Sequence, residues 1–433
     1  MKHQLIKLEN GLHVILIDTE AFPTLTTLLL IGAGSRYENK ENNGIAHFFE
    51  HMAFKGTKKY PTSLTISSII EGMGGVFNAF TSKDHTGYWI KATNENFGQT
   101  IDVLSEMILH PLLLHEEIER EKGVIVEEIN LYEDTPYRKV GEVFDTLLYD
   151  GSPLGYDIAG EKKTVKSFNR QTFTDYMGQL YHPNNAVLVV AGGLDKVKSE
   201  KLRVKSYLQI IEEKFGKWGE GSNASFERVI ESQTKPEQLI KHKKTEQAHF
   251  CLGFRTFSFF DKRRYALSLL TTILGGGMSS RLFTEVRERR GLCYYVSTGR
   301  ELYHDVGMMV TQAGVANDLD KIKEAIAIIL KEHRKIAKGD LKIEELQKAK
   351  NLLKGRMLLS MEDSSNVASL FGTKKILENS IITPEDTIKQ MEAVSGEEIQ
   401  SLAEEIFVPE RLNFAMISPF ENNEIQIADM ISR

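Results

Sequence analysis

Three residues within one pentapeptide have the types and the spacing of a metal site. His47 and His51 enclose Phe48, Phe49 and Glu50, which gives an H-x-x-E-H motif. On an α-helix, residues four positions apart point in directions about 40° apart, so both imidazoles can bind one metal ion. Glu50 lies about 60° from His47, where its carboxylate can reach a metal-bound water without ligating the metal. The motif therefore predicts two Zn²⁺ ligands and a general base.

A catalytic zinc ion usually takes three protein ligands, so a further donor is expected outside the motif. Residues 116–132 are predicted to form a long charged helix with a narrow apolar stripe. The members of that stripe are Ile118, Ile125, Ile129 and Tyr132. Glu121 and Glu128 lie together on its shoulder, whereas Glu127 points to the opposite side. Helical phase therefore favours Glu128 as the third ligand, and Glu121 could orient a ligand from behind it.

Each of these residues also has an interpretation without chemistry. The two histidines can be ordinary surface residues, since a five-residue pattern recurs by chance. Core filling fits them poorly, because the apolar residues of their helix form a separate stripe away from both imidazoles. That stripe consists of Ile45, Phe48, Phe49 and Met52. The glutamates, in turn, can belong to a solvated charged helix.

The elements that must position these residues alternate between strands and helices. In the first half, apolar runs predict strands at residues 3–8, 12–18, 24–31, 76–82 and 86–93. Helices are predicted there at residues 63–73, 97–108 and 200–215. Low apolar periodicity at residues 216–235 predicts a linker. We therefore expect two domains, 1–218 and 219–433.

The second half repeats this kind of order. A strand is predicted at residues 249–254, and helices are predicted at residues 262–274, 318–338, 343–359 and 384–405, with another ending at Glu288. The similar opening order of the two halves is weak evidence for an internal duplication.

Composition and charge narrow the function classes. The 433 residues suffice for about two domains of roughly 200 residues each. The formal net charge of -6 argues against nucleic acid or an anionic membrane surface as the main partner. Cys251 and Cys293 stand among apolar residues and are predicted to be buried thiols. No run of residues resembles a targeting or membrane-spanning segment, so we expect a cytoplasmic protein.

Over nearly its whole length, the sequence resembles peptidase family M16, the inverted-motif zinc peptidases. That family includes pitrilysin, insulin-degrading enzyme and the mitochondrial processing peptidases, and this chain looks like a short, two-domain, bacterial-type member. In the first half the resemblance rests on GIAHFFEHMAFKGT, NAFTSKDHTGY, EREKGVIVEEI and YHPNNAVLVVAGG. In the second half it rests on LGGGMSSRLFTEVRERRGLCYYV and KGRMLLSMEDSS.

The resemblance implies an α+β fold of two homologous α/β-sandwich domains, each an antiparallel or mixed sheet covered by helices. The pair would form half of a clamshell, so it implies a homodimer or a heterodimer with a related subunit. It assigns catalysis and zinc to the first domain and substrate contact to the second. Glu128 matches the family's third zinc ligand, and Glu121 matches its second functional glutamate. Arg287 and Tyr294 match a pair that contacts substrate, although Gly291 is expected to break the helix between them.

These expectations define a zinc-dependent endopeptidase that hydrolyses extended or unfolded peptides, with Glu50 activating a zinc-bound water. Substrate is expected to add as a strand to the edge that carries Asn78 and Ala79. Tyr294 could donate a hydrogen bond to the oxyanion. Two alternatives stay open. One is a non-catalytic subunit that pairs with an active homologue, and the other is a maturation peptidase dedicated to one small precursor.

Overall fold

The chain folds into two compact units, each with its own sheet. The computed structural model describes residues 1–194, 200–222, 225–421 and 424–431. The first unit comprises Met1–Ile129, Tyr156–Glu227 and Leu358–Thr383. The second comprises Asn130–Gly155, Arg228–Met357 and Pro384–Arg433.

Strands and helices alternate along both halves of the chain. The described strands are β1 (Lys2–Lys7), β2 (His13–Asp18), β3 (Thr24–Ile31), β4 (Val76–Thr81), β5 (Thr86–Thr93), β6 (Ala186–Gly192), β7 (Glu237–His242), β8 (Gln247–Thr256), β9 (Cys293–Leu302), β10 (Gly307–Ala316) and β11 (Leu412–Ser418). The described helices up to residue 215 are α1 (Ile45–Met52), α2 (Ser63–Gly72), α3 (Phe97–Leu109), α4 (His115–Glu133), α5 (Pro136–Leu148), α6 (Lys162–Ser167), α7 (Arg170–Leu180) and α8 (Glu200–Phe215).

The later helices are α9 (Arg264–Gly275), α10 (Leu319–Ala337), α11 (Ile343–Ser360), α12 (Ser364–Glu378), α13 (Pro384–Ala393), α14 (Gly396–Ile406) and α15 (Ile427–Ile431). A π-helical segment, Phe283–Glu288, precedes β9. None of the helices in the described ranges has the length and hydropathy needed to cross a membrane.

The two sheets have the same strand order. The first sheet runs β1-β2-β6-β3-β5-β4, and the second runs β7-β11-β8-β10-β9. In each sheet one matching pair is parallel, β2 with β6 and β7 with β11, and the other pairs that match between the sheets are antiparallel. With β1 set aside, the successive strands of both units occupy equivalent places. The expected mixed sheets covered by helices are confirmed, and the shared order strengthens the case for a duplication.

Helices cover both faces of the first sheet, so the central strand β3 is buried on both sides. Thr27 Oγ1 lies 3.4 Å from Thr100 Oγ1 of α3, and the adjacent Thr26 Oγ1 lies 2.8 Å from Ser364 Oγ of α12. Successive residues of a strand point to opposite faces, so α3 and α12 lie on opposite sides of the sheet. Gly372 of α12 packs so closely that a Cβ there would come within 2.5 Å of Leu30.

One helix from each half of the sequence packs in the unit formed mainly by the other half. The helix α12 belongs to the first unit, although it follows residue 219. The helix α5 precedes residue 218, yet its residues Val140 and Phe144 share a core cluster with Ile417 of the second unit. The domain limits at residues 218 and 219 stay a prediction. The helices α5 and α12 cross these limits, because each packs in the unit formed mainly by the other half of the chain.

Local signals explain where the sequence-based elements differ from the structure. The helix predicted at residues 384–405 is two helices, α13 and α14. Ser395 ends the continuity, because its side chain accepts a hydrogen bond from the amide of Glu398 and forms a capping box with it. Gly291 adopts a φ of 60°, which favours glycine, and Tyr294 consequently lies on β9 rather than on a helix.

His333 on α10 is an unusual core residue. It is only 1% exposed, and neither ring nitrogen has a hydrogen-bond partner among the described residues. Its ring stacks on Phe407 with a centroid distance of 4.5 Å. Burial lowers the pKa of His333 to about 3, compared with the ordinary value of 6.5. At a pH between these two pKa values, His333 binds a proton in the unfolded chain but not in the folded chain. Stability from neutral His333 is therefore complete above pH 6.5 and is lost as the pH falls.

We predict that His333→Leu weakens the acid sensitivity of the fold. Leucine keeps the site apolar and removes the group that must be protonated in acid. The fall in Tm between about pH 7.5 and 5 should be smaller for this variant than for the native chain. Thermal unfolding followed by circular dichroism measures this, and His115→Leu at an exposed position serves as the control. An equal fall in Tm for His333→Leu and the native chain would show that His333 carries none of the pH dependence.

Candidate metal centre

Three side chains from two helices of the first unit converge at one point. His47 and His51 lie on α1, with their ring centroids 4.7 Å apart. Glu128 lies on α4, and its Oε2 is 3.6 Å from Nε2 of each histidine. One ligand atom from each residue lies within 4.8 Å of the other two. Within the described ranges, no other group of three His, Cys, Asp or Glu side chains meets this criterion.

The donor set fits a zinc ion. Zinc bonds to nitrogen and oxygen of about 2.0–2.2 Å in a tetrahedron place ligand atoms about 3.3–3.5 Å apart, so the 3.6 Å separations need little contraction. Burial, followed by the charge of His51, lowers the pKa of His47 to about 4, against the opposing effect of Glu128. His47 therefore presents a neutral imidazole at neutral pH, which is the form that binds metal.

The helix α4 presents Glu128 to the histidines, as its helical phase predicted. Ile125 and Ile129 are buried, Glu128 is half-buried and Glu127 is exposed. The adjacent glutamates thus have different surroundings, although they have the same chemistry. The assignment of Glu128 as a ligand and of Glu127 as a non-ligand stays a prediction. The geometry adds that Glu128 Oε2 lies 3.6 Å from Nε2 of each histidine.

Glu121 contacts the centre through His51. Its Oε1 lies 2.8 Å from His51 Nδ1, and its Oε2 lies 2.6 Å from Lys55 Nζ. Burial alone would raise the pKa of Glu121, but hydrogen bonds from His51 and Lys55 outweigh that effect and lower it. An ionised Glu121 accepts a hydrogen bond from the Nδ1–H of His51, which leaves Nε2 to face Glu128. Lys55 is a further residue of this group that the helical pattern alone does not reveal. Its position four residues after His51 is the available signal.

Glu50 lies beside the same cluster and is held by a strand residue. Thr81 Oγ1 donates a hydrogen bond of 2.6 Å to Glu50 Oε2. Burial raises the pKa of Glu50, and the hydrogen bond from Thr81 opposes this shift. A base with a raised pKa is better matched to proton transfer near neutral pH than an ordinary carboxylate is. Thr81 is a functional candidate that sequence reasoning missed, because contact with Glu50 depends on the pairing of β4 with the rest of the sheet.

The expected substrate strand would meet β4, which is an edge of the first sheet as described. Asn78 is exposed and Ala79 is half-buried on this strand, opposite Trp89 and Tyr88 of β5. The Asn78 side chain accepts a hydrogen bond of 2.9 Å from the Ala79 amide. An edge strand has backbone groups available for pairing, so the location suits strand addition. Substrate contact by either residue stays a prediction.

Arg287 and Tyr294 come together within the second unit. The Arg287 guanidinium lies 5.4 Å from the centre of the Tyr294 ring and 4.7 Å from that of Phe283. Tyr294 is 72% exposed, so its hydroxyl is accessible from solvent. The two side chains contact each other although Gly291 interrupts the helix between them. The role of the pair in substrate binding stays a prediction.

Two α/β units of matching strand order, with a histidine pair and carboxylates brought together from two helices, indicate the class of two-domain metallopeptidases. Comparison with family models agrees with this class. Residues 13–162 match the model described as insulinase, peptidase family M16, and residues 167–353 match that of the peptidase M16 inactive domain. The chain belongs to peptidase family M16.

Curated relatives cover almost the whole chain. The uncharacterized zinc protease YmxG of Bacillus subtilis is 35% identical, over 96% of this chain and 98% of its own length. An uncharacterized zinc protease of Rickettsia bellii is 32% identical, over 93% of this chain and 94% of its own length. Both relatives are named zinc proteases, and neither name gives a substrate.

Solved structures share the fold at low sequence identity. A protease from Helicobacter pylori superposes with a TM-score of 0.88 at 24% identity, covering 96% of this chain and 99% of its own. A peptidase M16 inactive domain from Pseudomonas fluorescens gives a TM-score of 0.86 at 18% identity, covering 97% and 99%. The two-unit architecture is thus that of M16-type structures.

We predict that Thr81→Val lowers kcat about 10- to 100-fold, because it removes a hydrogen bond to the carboxylate of Glu50 while keeping the shape of the side chain. Zinc content should stay at the native value, since the Thr81 hydroxyl donates to Glu50, which is not one of the three candidate ligands. Thr81→Ser keeps the hydroxyl and should retain most of the activity. Peptide cleavage and metal analysis on the same samples test this. Equal activity of the valine and serine variants would contradict a role for the hydroxyl.

Proposed function

We propose that this protein is a zinc-dependent endopeptidase that hydrolyses peptide bonds in extended or unfolded peptides. The observation that carries the proposal is the convergence of His47, His51 and Glu128, with Glu50 beside them. Two imidazole nitrogens and one carboxylate oxygen are a common ligand set of catalytic zinc, which keeps a fourth position for water or substrate. Membership of family M16 and the zinc-protease relatives support the same class.

The residues divide into holding, orienting and proton-transfer roles. His47, His51 and Glu128 hold Zn²⁺, and Glu121 orients His51. When bound, the ion would act as a Lewis acid, which polarises a carbonyl group and lowers the pKa of a water molecule to about 7. Glu50 accepts a proton from the attacking water and returns it to the leaving amine. Thr81 fixes one oxygen of Glu50, so that the other can face the water.

Substrate recognition is proposed to use backbone pairing at β4. Asn78 and Ala79 lie on that edge, and main-chain hydrogen bonds accept many different sequences. Arg287 and Tyr294 are proposed to contact bound substrate from the second unit. Residues 1–218 would form the catalytic domain and 219–433 the substrate-contacting domain. A second copy or a related subunit would complete the enclosure that the family resemblance implies, and a cytoplasmic location stays a prediction from the sequence.

A non-catalytic role is less well supported. The second family match is to a domain described as inactive, but it begins at residue 167, after the metal cluster. The first half keeps both histidines, Glu50 and Glu128. A maturation peptidase for a single precursor would use the same chemistry, and cleavage of unrelated unfolded peptides distinguishes it from a general peptidase.

We predict that Glu50→Gln keeps zinc and loses peptide cleavage. Glutamine has nearly the same shape but cannot accept the proton, so the rate should fall by roughly 10²- to 10⁴-fold. A quenched-fluorescence peptide assay with metal analysis of the same protein gives both quantities. His47→Ala serves as the comparison and should lose zinc as well as activity. Undiminished cleavage by Glu50→Gln would remove Glu50 as the base.

A further inference from the structure

A buried carboxylate with no role in the proposed chemistry lies at the N-terminal end of α1, the helix that carries His47 and His51. Glu38 is only 4% exposed, and three N–H groups donate to it. Its Oε2 accepts from the Gly44 amide at 2.8 Å and from Asn43 Nδ2 at 2.9 Å. Its Oε1 accepts from the Ala46 amide at 2.8 Å. Each oxygen of this carboxylate therefore contacts the start of α1.

These contacts satisfy a need that α1 has at its N-terminus. The first amides of any helix lack partners within the helix, and they form the positive end of its dipole. The N-cap position of α1 is Gly44, which has no side chain to accept from them. Glu38 supplies the acceptor and the negative charge from six residues away. Since α1 has only eight residues, packing and capping must determine where it lies.

The turn before α1 is also fixed from its other side. Asn43 Nδ2 donates to the Asp157 carbonyl at 3.0 Å, and Thr164 Oγ1 donates to the Asn43 carbonyl at 2.8 Å. Gly44 has a φ of 97°, and a Cβ on Gly160 would come within 2.6 Å of Gly44 Cα. The backbone therefore has little room to move there. The Glu38 carboxylate therefore binds a closely packed turn.

We propose that Glu38 is a positioning residue of the metal centre. By binding the amides at the start of α1, it fixes the axial position and rotation of that helix. It thereby sets the distance from the Nε2 atoms of His47 and His51 to Glu128. His47 follows Ala46 directly, so a shift of the Ala46 amide moves the first ligand. This inference rests on the proposed zinc site.

The ionised form of Glu38 is the one that accepts all three hydrogen bonds. Burial raises the pKa of Glu38 to about 7, while the hydrogen bonds from Ala46, Gly44 and Asn43 oppose that shift. At about pH 8 the carboxylate form predominates. Measurements at that pH compare variants with the native carboxylate in its charged state.

Glu38→Gln in the full-length protein tests the proposal. Glutamine has one acceptor oxygen and one amide group, so an N–H would face an N–H at one or two of the three contacts. We expect zinc affinity to fall about 10- to 100-fold, as for other residues that support metal ligands. At saturating zinc, kcat should fall while KM for a peptide changes little. Competition with a chromophoric chelator measures affinity, and the absorption spectrum of the Co²⁺-substituted protein reports on ligand geometry.

Two further variants make the test specific. Glu41→Gln removes an exposed carboxylate from the same loop and should leave affinity, kcat and the Co²⁺ spectrum unchanged. Asn43→Ala removes one of the three donors to Glu38 and should weaken zinc binding by less than Glu38→Gln does. If Glu38→Gln fails to fold, a weakened affinity in Asn43→Ala supports the proposal and native affinity there overturns it.

The remaining outcomes separate this inference from the proposed function. A lower Tm in Glu38→Gln with native zinc affinity and a native Co²⁺ spectrum would make Glu38 a stabilising cap only, and would overturn the inference alone. An equal loss in Glu41→Gln would overturn it too, because the effect would then be one of net charge. A native chain that binds no zinc would overturn the proposed function together with this inference.

Discussion

The candidate site depends on a single close approach, that of Glu128 Oε2 to the Nε2 atoms of His47 and His51 at 3.6 Å each. Two helices separated by more than sixty residues of sequence must be held in fixed register for this contact to exist. Side chains taken partly out of water need compensating partners, because desolvation penalises charge. Much of the surrounding structure supplies such partners or restricts the two helices.

The restraints act on α1 from several directions. Thr81 holds the carboxylate of Glu50, and Glu121 holds His51 while Lys55 keeps Glu121 charged. Phe48 and Phe49 are fully buried and fix the opposite side of the helix. An apolar face packed into the core and a polar face hydrogen-bonded to strand and helix leave α1 little rotational freedom. Precise placement of ligands by such supporting contacts is what metal sites generally require.

The sequence was sufficient wherever the information was local. Helical spacing placed both histidines and Glu50, and helical phase preferred Glu128 to Glu127. Contacts between residues far apart in the sequence could not be predicted from it. Thr81 meets Glu50 only because β4 pairs with β5, and the exchange of α5 and α12 depends on which sheet each helix finds. The division of residues 384–405 does have a local signal, the capping box at Ser395, but the apolar periodicity that continues across the segment favours a single helix.

The proposed zinc site requires Glu128 as a ligand, and the neighbouring Glu127 provides a matched control. Glu127 is the same type of residue as Glu128 and lies on the same helix, but it is exposed. Zinc affinity of Glu128→Gln and Glu127→Gln, measured by chelator competition, tests the claim most directly. We expect Glu127→Gln to bind one zinc ion per chain with native affinity, and Glu128→Gln to bind at least ~100-fold more weakly. Native affinity in Glu128→Gln, or an equal loss in both variants, would contradict the account.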